Sequence, residues 1–175
     1  MKRSIIFILI LFLTSFAWPQ ETSSEVYETK KNSFGFGLGI PYGVLGGNVD
    51  INMAPQLNVS IGIGSSIVAG IAYNAGLKYF LNTIEHSFRP RLSAYYGINA
   101  ISSIADHEET YTGFSLGFGA QWMWGNTKSN GLDFDVIYIV STGYDIDELR
   151  TEYGSRYMIE EYGSVKFSIG YRRAF

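Results

Sequence analysis

Cysteine is missing altogether from this 175-residue chain, which excludes disulfides, thiolate metal sites and anchoring through a lipidated cysteine. Charge is scarce. Asp, Glu, Lys and Arg make up 17% of the residues, against about a quarter in an ordinary water-soluble domain. No basic excess is available to meet a polyanion: the formal charge is −3, and it falls to −5 if Lys2 and Arg3 are removed with a leader, so no nucleic-acid partner is expected. No segment carries a convincing helical period. The apolar run Ile5–Leu13 is shorter than the roughly 20 residues a membrane-spanning helix needs.

What is abundant is glycine (20), tyrosine (13) and phenylalanine (12), a composition that suits a strand-rich protein in contact with lipid. Residues 1–17 read as a secretory signal. Lys2 and Arg3 form its positive start, Ile5–Leu13 its apolar stretch, and Ser15 and Ala17 the small residues before cleavage. Residues 18–32 are polar and without periodicity, and are expected to be a flexible periplasmic lead-in.

Residues 33–175 read as one barrel domain, in which segments alternating with the period of a strand are separated by turns and two longer polar stretches. Phe34, Phe36, Leu38 and Ile40 alternate with glycines, and a tight Pro41-Tyr42-Gly43 turn follows. Leu45, Val49, Ile51 and Met53 then oppose Gly46, Asn48, Asp50 and Asn52. Leu57–Gly64, Ile71–Leu81 and Phe88–Ile98 repeat the scheme, with Pro90 marking a strand end rather than a strand centre. The clearest strand sets Phe114, Leu116, Phe118, Ala120, Trp122 and Trp124 against Gly113, Ser115, Gly117, Gly119 and Gln121. Leu132–Val140 and a final strand through Val165, Phe167, Ile169 and Tyr171 complete eight, each of about 9 to 11 residues. An even number of strands with no helical crossover predicts an all-β, eight-stranded antiparallel up-and-down barrel that closes on itself and so has no free edge.

The last strand, with Tyr171 inside it and Phe175 at its end, resembles the terminal strand of bacterial outer-membrane β-barrels. The segment Leu77–Gly97 is similar to a strand-turn-strand of small barrels in the OmpA/OmpX size class. This resemblance implies a transmembrane barrel in the outer membrane of a Gram-negative bacterium, exported through the periplasm. It also implies that Tyr171 and Phe175 are the signal read by the barrel assembly machinery.

Alternation does not say which face points outward. A lipocalin-like soluble barrel would hide its apolar face, whereas a membrane barrel turns it to lipid. Charge placement decides for lipid. Asp50, Lys78, Arg89, Arg91, Asp133, Asp135, Lys166 and Arg172 all fall on the face of small residues, and none of the apolar-face positions named above carries a charge. An Arg or Lys near the bilayer midplane would cost about 2–4 kcal/mol, which accounts for that exclusion. Arg173, next in that phase after Tyr171, falls near the interface, where its head can snorkel. The eight charges are expected to form an ion-paired network in a narrow lumen, although the many inward glycines leave room for water or a small ligand. Aromatic residues at strand ends, among them Tyr79, Phe88, Trp122 and Phe134, read as an interfacial girdle.

The remaining chemical signals are weak. Gly35-Phe36-Gly37-Leu38-Gly39 has no helix after it and is strand alternation rather than a phosphate loop. Asp106, His107, Glu108 and Glu109, with Asp145, Asp147 and Glu148, would place carboxylates and a histidine on an extracellular rim; consecutive charges in a loop lack the supporting shell that catalysis needs. His86-Ser87 lies in a turn. The sequence therefore predicts a structural or surface-interaction barrel without catalysis, cofactor or metal, expected as a monomer, with outer-membrane lipid around it and an extracellular partner at loops 102–110 and 142–162. A small porin-like pore or ligand conduit is the alternative, and an enzyme acting at the rim a further one.

Overall fold

The computed structural model describes residues 32–66, 70–104, 107–142 and 165–175. Residues 1–31, which hold the expected secretory signal and all but the last residue of the expected lead-in, lie outside the described residues, as do Asp106 and the stretch from 143 to 164. Eight strands follow one another as β1 (Ser33–Gly39), β2 (Val44–Ala54), β3 (Leu57–Ser66), β4 (Gly70–Phe80), β5 (Phe88–Ile104), β6 (His107–Trp124), β7 (Asn130–Ile139) and β8 (Val165–Ala174). Every strand pairs antiparallel with its sequence neighbour. Pairing of β1 with β8, from Ser33 opposite Ala174 to Leu38 opposite Ile169, closes the barrel. We call the end that holds Ser33 and Ala174 proximal and the other end distal.

The alternation of the sequence becomes the two faces of the wall. Phe114, Leu116 and Phe118 point outward at 55%, 50% and 59% exposure, while Ser115 and Gln121 on the same strand are buried. The same division runs around the barrel, so the outer surface is a continuous apolar belt far larger than the few hundred Å² of patch a soluble monomer exposes. Rings gather near the proximal rim: Phe34 packs on Phe175 at 6.2 Å between centroids, and Trp122 meets Trp124 edge-on at 6.3 Å. About eight residues along the wall, Tyr96 and Phe114 pack at 5.1 Å. At about 3.3 Å per residue and a strand tilt near 40°, the two aromatic levels stand roughly 20 Å apart.

Three expectations need correction. Ile40 is not on the outer face. With Pro41 and Tyr42 it forms a 3-10 turn folded into the lumen, and all three are buried. Residues 102–104 and 107–110 are strand rather than loop: β5 continues to Ile104 and β6 begins at His107, with Ser102 opposite Glu109 and Ser103 opposite Glu108. Strand lengths are also less even than the alternation predicts, from 7 residues in β1 to 18 in β6. Because β4 pairs with β5 only as far as Gly97, and β7 with β6 only as far as Ser115, the two long strands rise beyond the distal rim as a ribbon.

Candidate functional site: the ion-paired lumen

The lumen divides into a proximal half that holds a cluster of ionised side chains and a distal half filled mostly by uncharged ones. In the proximal half, six ionised side chains from five strands form one alternating chain. Lys78 Nζ donates to both oxygens of Asp50 at 2.9 Å, and Arg172 NH1 reaches Asp50 at 2.8 Å. Arg172 Nε donates to Asp133 Oδ2, and Arg91 NH1 donates to Asp133 Oδ1 at 3.0 Å. Arg91 then forks onto Asp135, with NH2 at 2.7 Å and Nε at 3.2 Å. Three cations meet three carboxylates, all with fully buried side chains.

The arrangement follows from register. Asp133 and Arg91 sit three residues inside the proximal end of their strands and Arg172 two, so the closed wall brings them to nearly one level. Planar guanidiniums match carboxylates with two parallel bonds, so arginine rather than lysine occupies the shared positions. Spare donors on Arg172 are used as well: NH1 bonds Ser33 Oγ and NH2 bonds Asn48 Oδ1, both at 2.9 Å. Buried charge is tolerable only when satisfied in this way.

Two residues of the predicted network lie to either side of this cluster. Arg89, at the proximal mouth, has no carboxylate partner among the described residues. Its guanidinium lies 3.8 Å from the Phe80 ring centroid and donates at long range to Gln121 Oε1 and the Pro55 carbonyl. Lys166, opposite Ile137 on β8, lies one inward rung distal of the cluster and is half-buried.

The distal half is filled by the β1–β2 turn, which sequence reasoning did not place there. Tyr42 is fully buried and donates its hydroxyl to Asp133 Oδ2 at 3.2 Å, joining the plug to the charge chain. Asn74 Nδ2 holds the Ile40 carbonyl. Ile40 completes an apolar cluster with Tyr95, Ile137 and Ile139. The inward glycines are the socket for this turn: a Cβ at Gly37, Gly46, Gly62, Gly64 or Gly170 would collide with Pro41, Tyr42 or the backbone beside them. The space those glycines leave is thus occupied by the chain itself. That run of inward glycines was the available signal, since bare positions across four strands imply a bulky insert from elsewhere.

No protein-family model matches the chain, and no curated protein does. Among solved structures, the chain is similar to the crystal structure of the N-terminal β-barrel domain of Pseudomonas aeruginosa OprF. The TM-score is 0.56 at 15% identity, covering 84% of this chain and 98% of that one. The likeness is one of fold: an eight-stranded barrel of the outer-membrane type.

Among the described residues, no group of three or more His, Asp or Glu could hold a metal ion. His107 begins β6, and Asp145, Asp147 and Glu148 lie outside the described residues.

Proposed function

We propose that the chain is an outer-membrane β-barrel of a Gram-negative bacterium, with its termini in the periplasm and its lumen shut. Its role is then structural, holding distal hairpins at the cell surface for an extracellular partner. The observation that carries this reading is the inversion of an ordinary soluble protein: apolar side chains cover the outside, and ionised ones are enclosed. Membrane fractionation with gel mobility tests it. The folded protein should stay with membranes through a carbonate wash and migrate differently before and after boiling. Release by the wash together with unchanged mobility overturns the proposal.

The plugged lumen favours the structural role over a pore. Steady passage would require both removal of the Ile40–Tyr42 turn and rupture of the charge chain below it. In planar bilayers the reconstituted protein should therefore give no steady conductance. On the same reading, Tyr171 and Phe175 present outward aromatic rings to the barrel assembly machinery, and Phe175→Ala should lower the yield of assembled barrel in cells.

A further inference from the structure

We propose that the proximal mouth of the barrel is a binding site for a carboxylate group, centred on Arg89. A pocket of about 20 Å³ opens there between Ser33, Asn58, Arg89, Gln121 and Lys128, roofed by the half-buried Ile84. Its polar lining has already used its acceptors. Ser33 Oγ accepts from Arg172 at 2.9 Å, Asn58 Oδ1 accepts from Asn52 at 3.1 Å, and Gln121 Oε1 accepts from Arg89 at 3.4 Å. What remains on each is a donor: the Ser33 hydroxyl hydrogen, Asn58 Nδ2 and Gln121 Nε2. Arg89 Nε is buried and makes no hydrogen bond.

Charge agrees with this donor excess. The three carboxylates of the lumen are balanced by Lys78, Arg91 and Arg172, so Arg89 is surplus although it is only 3% exposed. Among the described residues no acidic side chain lines the pocket, and Lys128 adds a second cation on the β6–β7 turn, where its ammonium donates to the Glu85 carbonyl. A buried charge without a partner is costly, and the Phe80 ring offsets only part of that cost. An anion entering from the proximal side would complete the set. The space holds roughly one water-sized group, so a carboxylate enters oxygen first, with the rest of its flat head at the opening and the body that bears it outside. A guanidinium is built to grip that shape with two parallel bonds.

The site does not depend on the membrane reading, and it is tested on the full chain folded in detergent with 15N-labelled arginine. At constant ionic strength, acetate should displace the Arg89 Nε–Hε resonance saturably, and chloride should not. The resonance is assigned by its loss in Arg89→Gln. Lys128→Ala should weaken acetate binding about threefold, the scale of one partly exposed charge. Asn58→Asp places a carboxylate in the mouth and should abolish the response while Arg89 remains, which keeps the test valid even if Arg89→Gln fails to fold. A short peptide with one glutamate distinguishes the sources: tighter binding than acetate means the carboxylate arrives on a peptide, weaker binding a small free acid. Absence of saturation, an equal response to chloride, or an unchanged response in Asn58→Asp overturns the proposal.

Discussion

Tyr42 packs its phenol end against the bare backbone of Gly170, and the fit is so close that a single methyl group on Gly170 would meet the phenol ring and its hydroxyl. The same hydroxyl donates to Asp133, so one glycine on β8 sets both the seat of the plug and its bond to the charge chain.

Gly170→Ala should therefore destabilise the barrel by about 1–3 kcal/mol, the usual cost of overpacking, in urea unfolding from lipid vesicles. In a Tyr42→Ala background most of that cost should vanish, because the two positions share one contact. Equal costs in both backgrounds would remove Tyr42 from the socket.

Asp133 accepts from Arg91, Arg172 and Tyr42, so Asp133→Asn leaves two buried guanidiniums short of charge. A loss of about 3–5 kcal/mol is expected for breaking a buried pair from one side. Replacing Lys78 by Met and Asp50 by Asn together should cost less than Asp50→Asn alone, which strands the Lys78 ammonium. Equilibrium unfolding of the three variants checks the order.

Depth along the outer wall should be readable in energy. Phe118, in the middle of the span that β6 shares with both neighbours, should cost about 2–4 kcal/mol when changed to Arg, and Trp124, at the strand's proximal end, about 0–1 kcal/mol. Equal penalties in bilayer folding would argue against lipid at this surface.

Val44 follows the plug with φ of 73°, a left-handed backbone that a β-branched residue adopts only under constraint. Val44→Gly should relieve that strain and raise stability by about 1 kcal/mol, after allowance for the more flexible unfolded chain. A destabilised Val44→Gly in the same unfolding assay would show that the Val44 side chain is needed for packing.

The period of two assigned almost every wall residue to its face without coordinates, because a strand leaves a side chain only two directions. Asp50 and Asp133 were legible as inward for that reason, as were Lys78 and Arg172. Their partners were not. Asp50 meets Arg172 from a strand 122 positions away, and only the register of β1 with both β2 and β8 brings them together. The distal hairpin was misread because Ser102 and the acidic residues after it look like a solvated loop. Cross-strand hydrogen bonding continues there regardless of side-chain polarity.

The sequence by itself determined the barrel: the number of strands follows from local alternation, and the oily exterior and the enclosed charge follow from which face of that alternation carries the ionised residues, with no knowledge of distant contacts. Only the tertiary structure decided that the lumen is closed. Ile40 continues an outward-facing pattern in one dimension and Pro41-Tyr42-Gly43 reads as a turn; Ile40, Pro41 and Tyr42 fold inward because glycines on β1, β2, β3 and β8 leave a hollow that water would fill poorly and an aromatic turn fills well.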